Sequence, residues 1–187
     1  MKIVRGEATE PRQPALLDKA RRGDAHAFVD LIRGFDHGFR RLGYRLLGDR
    51  HELDDVLQEA YAKAFAALPR FRGDSALQTW LYRIVYNTCL DQLKRQAPET
   101  TALEPELEAA AADPADLVAT RSALADALAG LAPVERAVVL LVDADGLSYA
   151  DAAAIVGVPA GTIASRLSRA RASLRRSLRT NREGVPT

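Results

Sequence analysis

Apolar positions recur at helical spacing along most of the chain. In AHAFVDLIRGFDHGFRRLGYRLLG, Phe28, Leu31, Ile32, Phe35, Phe39, Leu42 and Leu46 fall three or four residues apart, which draws one continuous stripe along one long helix. Asp24 can cap that helix, and a shorter one over Pro14 to Arg22 precedes it, ended by Gly23. A third helix is predicted through HELDDVLQEAYAKAFAAL, with Leu53, Val56, Leu57, Ala60 and Ala64 inward and Asp54, Asp55, Gln58 and Glu59 outward, until Pro69 marks its end. Beyond the loop RFRGDS a fourth helix buries Leu77, Trp80, Leu81, Ile84, Val85 and Thr88, and Pro98 limits its continuation. No run alternates with the period of a strand, so the fold class is all-α.

The pattern lapses between Gln96 and Thr120. That stretch holds Glu99, Glu104, Glu106, Glu108, Asp113 and Asp116 but no Lys or Arg, and Pro98, Pro105 and Pro114 punctuate it. It reads as a flexible acidic linker over residues 98–113, followed by a helix capped by Asp113 and begun by Pro114. Leu117, Leu124, Leu128, Leu131, Val138, Leu141 and Val142 then supply a second core. Two small helical domains follow, over residues 14–97 and 114–180, with a polar mobile arm at 1–13 and a tail at 181–187.

The second domain ends in GLSYADAAAIVGVPAGTIASRLSRARASLRRSLR, from Gly146 to Arg179. Ser148 can cap a helix with Asp151 in the capping-box position, Gly157 breaks it, and Pro159 with its fixed φ stands near the start of the next. Ile155, Val158, Ile163 and Leu167 bury one side of the pair, and small Ala153 permits the close approach that so short a turn requires. This is helix-turn-helix geometry. On the polar side Thr162, Ser165, Arg166 and Arg169 face outward, and Arg171, Arg175, Arg176, Arg179 and Arg182 continue without an acid before Glu183. Residues early in such a helix reach base edges in the major groove, and later arginines hold phosphates.

Composition narrows the classes. A chain of 187 residues with 48% hydrophobic content has a real core, and its net charge of +1 means that the arginine cluster is balanced by the acidic linker rather than spread as a polycation. Cys89 is the single cysteine, which excludes an internal disulfide or a thiolate zinc cluster, suits a reducing cytoplasm and reads as a small core residue. No apolar run has the length of a membrane span and the start lacks a signal-peptide core, so a cytoplasmic protein without membrane insertion is expected. His51, Glu52, Asp54 and Asp55 in HELDD suggest metal ligands only superficially. A second histidine at zincin spacing is missing, and acids at a helix start are expected from its dipole. Neither a cofactor nor catalysis is expected.

ELDDVLQEAYAKAFAALPRFRGDSALQTWLYRIVYNTCLDQLKR resembles the promoter-melting domain of an extracytoplasmic-function sigma factor, and LAPVERAVVLLVDADGLSYADAAAIVGVPAGTIASRLSRARASLR resembles that family's second domain. Together they cover most of the chain, and the conjunction of DD..QE, the FRGD loop, TWLYRI and the terminal helix-turn-helix is specific. The resemblance implies a non-enzymatic subunit that binds core RNA polymerase, recognises minus-ten and minus-thirty-five promoter elements and initiates transcription. It makes Asp54, Asp55, Gln58 and Glu59 the dock for the polymerase clamp helices. It assigns Arg72, Gly73, Asp74, Ser75, Arg83, Tyr86, Asn87, Lys94 and Arg95 to the melted downstream element. Tyr82 and Tyr86 are placed toward DNA, and Trp80 in the core. Arg83-Ile84 stands where housekeeping relatives carry an aromatic wedge, which shifts strand opening onto capture of a base by the loop.

Ser165, Arg166 and Arg169 become readers of the upstream element, and Thr162 and Arg171 phosphate holders. Ala164 and Ser168 stand where many relatives carry a basic or bulky side chain. Fully extended, the chain from Ala97 to Asp113 reaches roughly 56–61 Å, enough to hold two DNA readers more than one duplex turn apart. The resemblance also implies an anti-sigma factor as partner. The alternative is a stand-alone helix-turn-helix regulator, which commonly needs a dimerisation segment that this chain does not obviously offer.

Overall fold

A computed structural model describes the backbone of residues 12–96 and 116–183, and side chains within 13–96 and 123–179. The expected linker, the expected cap Asp113 with the helix-starting Pro114, and most of the expected arm and tail lie outside those residues. Nine α-helices are described: α1 (Arg12–Arg21), α2 (Ala25–Arg33), α3 (Asp36–Leu47), α4 (Arg50–Ala67), α5 (Leu77–Gln96), α6 (Asp116–Ala129), α7 (Pro133–Val139), α8 (Tyr149–Val156) and α9 (Ala160–Glu183). A 3-10 turn, Leu68–Arg70, ends α4, and a π turn, Leu140–Ala144, extends α7. Among the described residues there is no strand.

Local chemistry sets the helix ends. The Asp24 carboxylate accepts the Ala27 amide at 3.0 Å and starts α2. Asp49 does the same for α4, accepting from the His51 and Glu52 amides at 2.6 and 3.0 Å. These bonds favour the ionised carboxylates, so both pKa values fall below the ordinary range. The single long helix expected over residues 25–47 is in fact two. The Gly34 and Phe35 amides both turn back to the Ile32 carbonyl, and α3 restarts at Asp36. The apolar stripe misled because it crosses the break in phase: Phe35 and Phe39 still meet at 6.0 Å and face one core.

In the first domain α3, α4 and α5 enclose Phe39, Leu42, Leu46, Leu57, Leu81 and Cys89. In the second, α9 packs on α6, α7 and α8 around Leu128, Leu131, Val138, Leu141, Ile155, Ile163 and Leu167. Leu124, expected there, is 42% exposed. It lies a turn nearer the start of α6 than the buried Leu128. At the centre of this domain Arg136, only 2% exposed, donates to the carbonyls of Ala129 (2.5 Å), Leu131 (2.9 Å) and Arg45 (2.7 Å). Burial, and secondarily the charge of Arg45, lower its pKa. The bond to Arg45 crosses between domains, which are packed together: α8 lies along α5, and α3 meets α6 and α7.

Candidate polymerase and nucleic-acid surfaces

The acidic face of α4 begins one turn past the Asp49 cap. Asp54, Asp55 and Gln58 are exposed, and Glu59 is half-buried. Arg40 on α3 bridges Asp36 (2.9 Å) and Asp54 (2.8 Å), and the Tyr61 hydroxyl donates to Asp36 at 2.7 Å, so Asp54 is held in one orientation. Lys63 (2.7 Å) and Arg95 (3.2 Å) clasp Glu59 and lower its pKa, Lys63 more strongly. Among the described residues Asp55 and Gln58 engage in no hydrogen bond or ion pair, and their polar atoms face solvent.

The loop Arg72–Gly73–Asp74–Ser75 is exposed throughout and anchored at its start. Arg21 donates to the Phe71 carbonyl at 2.7 Å, and the Phe71 ring meets Trp80 at 5.1 Å. Along α5, Arg83, Asn87, Lys94 and Arg95 are exposed. The placement of the tyrosines needs correcting. Tyr82 is 2% and Tyr86 1% exposed, whereas Trp80 is half-buried. Tyr82 sets its ring edge-on to Phe39 at 4.8 Å. Tyr86 shares a face of α5 with Thr79, seven residues earlier, and the Thr79 hydroxyl donates to Asp151 of α8 at 2.9 Å. The helix is therefore covered twice, by its own domain and by the helix-turn-helix. Burial pushes both phenols up to about 12, with Arg41 opposing at Tyr82 and Arg166 at Tyr86.

The helix-turn-helix has the expected caps. The Ser148 hydroxyl accepts the Asp151 amide at 3.1 Å and donates to the Asp151 carboxylate at 2.5 Å. Gly157 ends α8 at φ +76, a left-handed conformation that strains other residues, and its amide reaches the Ala153 carbonyl at 2.8 Å. Ile155, Ile163 and Leu167 are buried, Ser165 and Arg169 are exposed, and Thr162 and Arg166 are half-buried. The Ser165 hydroxyl donates to the Thr162 carbonyl at 2.9 Å. Arg171 is engaged by both oxygens of Asp143, at 3.0 and 2.5 Å, which ties α9 to the π turn. Arg175, Arg176 and Arg179 continue the exposed basic edge.

Tyr86 and Arg166, assigned to two different DNA elements, are near enough for the charge of Arg166 to oppose the upward shift of the Tyr86 phenol. The structure also reveals an ion pair between Arg41 and Asp145, and the contacts Arg136–Arg45 and Thr79–Asp151, none of which the sequence indicated. Their partners lie far apart in the chain and share no periodic pattern. Among the described residues no group of three or more His, Cys, Asp or Glu is arranged to hold a metal, and no helix is long and apolar enough to cross a membrane.

Comparison with known proteins accords with this geometry. Residues 27–99 match the Sigma-70 region 2 family and residues 121–174 the Sigma-70 region 4 family. The chain is 39% identical to the ECF RNA polymerase sigma factor SigM of Mycobacterium tuberculosis, over 87% of this chain and 83% of that one. It is 35% identical to the RNA polymerase sigma-H factor of Pseudomonas aeruginosa, over 91% and 95%. Among solved structures it is similar to CnrH, captured with the cytosolic domain of CnrY (TM-score 0.70, 25% identity, 90% of this chain and 97% of that one). It is also similar to RpoE of Bartonella quintana, captured with the anti-sigma factor NepR (TM-score 0.65, 30% identity, 81% and 96%). With two matched regions in the expected order, both built into helical domains that present an acidic face and a helix-turn-helix, the chain belongs to the ECF RNA polymerase sigma factors.

Proposed function

We propose that this sigma factor docks on core polymerase through Asp54, Asp55, Gln58 and Glu59, reads a melted downstream element with the Arg72–Ser75 loop and α5, and reads a duplex upstream element with α9. The observation that carries the docking assignment is the state of the α4 face. Arg40 orients Asp54, Lys63 and Arg95 orient Glu59, and Asp54 and Asp55 remain open to solvent, which suits a surface that steers toward basic side chains on a partner. On α5, Arg83, Asn87, Lys94 and Arg95 supply cations and an amide along one exposed edge, with Tyr86 joining once α8 moves away. On α9, Ser165, Arg166 and Arg169 meet base edges, Thr162 approaches a phosphate, and Arg171 does so only by releasing Asp143.

The chain performs no covalent chemistry itself and works in the cytoplasm, where its polymerase and promoter are. Control by an anti-sigma factor is part of the same reading, supported by the two solved relatives captured with such inhibitors or partner domains. In vitro transcription with purified core polymerase on a genomic fragment library is the direct test. A defined set of initiated fragments is expected, and D54K/D55K should abolish polymerase binding with helicity unchanged. Initiation that does not depend on the chain, or full binding by that variant, would overturn the assignment.

A further inference from the structure

Where α3 packs against α4, four polar side chains form a ladder between them. Asp36 and Arg40 stand one turn apart on α3, and Asp54 and Tyr61 stand two turns apart on α4, so each pair shares a face of its helix. At one end the Tyr61 hydroxyl donates to Asp36 Oδ1 at 2.7 Å. At the other, Arg40 Nη1 donates to Asp54 Oδ1 at 2.8 Å, and Arg40 Nε donates to Asp36 Oδ2 at 2.9 Å, which joins the two ends. The bonds to Asp54 and then Asp36 raise the Arg40 pKa above its ordinary value, and burial, followed by the bond to Asp36, raises that of Tyr61. The ladder is graded in exposure: the Asp36 side chain is 36% exposed and the Asp54 side chain 67%.

We infer that Arg40 is a positioning residue for polymerase binding, anchored by Asp36 and Tyr61 so that it presents Asp54 in one orientation to a basic side chain of the polymerase. The inference rests on the docking role proposed above. Three observations carry it. An exposed ion pair adds little to the stability of a fold, so the consequence of holding Arg40 on both sides is the orientation of the group at its open end. That group is Asp54, because Asp36 is the rung tied back to half-buried Tyr61. Nor does Arg40 cancel the charge of the dock: two carboxylates against one guanidinium leave the ladder negative at neutral pH. Finally, Glu59 farther along the same helix is held in the same manner, by Lys63 and by Arg95 from α5, so fixed carboxylates recur along this face.

Arg40→Lys keeps the charge but loses the planar fork that spans two carboxylates. Tyr61→Phe removes only the hydroxyl behind Asp36. Association and dissociation of the full chain with purified core polymerase are measured separately by stopped-flow, with urea unfolding as the control for the fold. Charge on the face governs association, which should match the parent in both variants. A carboxylate that must be ordered on binding loosens the complex instead. Dissociation should therefore quicken about two- to fivefold in Arg40→Lys, the lower part of the range for immobilising one side chain at an interface, because Asp has only two rotors. The change in Tyr61→Phe should be smaller, since Arg40 still bridges, and the urea midpoint of Arg40→Lys should stay at the parent's.

The Asp54→Ala background separates positioning from support. There Arg40→Lys should alter dissociation no further, because the carboxylate that it orients is gone. An equal effect in that background, or a urea midpoint that falls in step with affinity, would make Arg40 a structural residue and overturn the inference. Dissociation of Arg40→Lys at the parent's rate would overturn it too, and parental dissociation of Tyr61→Phe alone would remove Tyr61 from the anchor. Undiminished polymerase affinity in Asp54→Ala is a different failure: it would sink the assignment of Asp54 to the dock.

Discussion

Arg136→Ala tests how the second domain is held together. Its guanidinium binds three carbonyls: Ala129 and Leu131 flank the turn between α6 and α7, and Arg45 belongs to the first domain. Truncation strands the Leu131 carbonyl in the buried interior, at a cost of about 1–3 kcal/mol, while the two part-buried carbonyls recover water and forfeit about 0.5–1.5 kcal/mol each. Removal of a desolvated charge returns some of this. A net loss of about 3 kcal/mol is expected, a large share of the 5–15 kcal/mol typical of a whole domain. Urea unfolding can resolve where that loss falls. Trp80 is the single tryptophan and sits against Phe71 in the first domain, so its fluorescence follows that domain, whereas circular dichroism follows both. The dichroism midpoint should fall well ahead of the fluorescence midpoint in Arg136→Ala, and Arg136→Lys, which keeps a charge but not the fork, should lie between. A loss under about 1 kcal/mol would refute the reasoning, because three charge-assisted bonds at these distances cannot be that inert.

Two further expectations concern ionisation. The Asp49 cap has a lowered folded pKa, so the unfolded chain binds its proton first on acidification; the cap's contribution is present above the ordinary carboxylate range and is lost as pH falls through the folded value. Asp49→Asn keeps a capping side chain without the charge, and its urea midpoint should depend less on pH between 7 and 3 than the parent's. Cys89 behaves in the opposite sense. Burial pushes its thiol up to about 12, so above pH 9 the unfolded chain releases a proton that the folded chain retains, and stability declines as pH rises. A thiol reagent should leave the folded protein unlabelled at pH 8 and react fully in denaturant, and rapid labelling of the native protein would contradict its burial.

Local interactions explain what was legible from the sequence. Caps at Asp24, Ser148 and Gly157 depend on neighbours within a few residues, and those neighbours are present in the chain itself. Periodic burial was equally readable where one helix faces one core, as in α4, whose Leu53, Val56, Leu57, Ala60 and Ala64 are all buried. The acidic face of α4 and the basic edge of α9 follow from the same geometry, because residues opposite a buried stripe must meet solvent.

The sequence by itself therefore determined the all-helical class, the caps at Asp24, Ser148 and Gly157, the helix-turn-helix and the two families of charged side chains. Only the tertiary structure decided that α2 and α3 are separate, since an apolar stripe that crosses a turn in phase looks unbroken. Only it decided that Tyr82 and Tyr86 are buried, that Arg136 is an internal hub, and that Arg41 and Asp145 meet across about a hundred residues of chain. Helical periodicity specifies which side of one helix is covered once. A second covering by another domain, and a single ion pair between a helix and a distant turn, leave no repeat in the sequence because their energy comes from contacts that exist only after the chain has closed on itself.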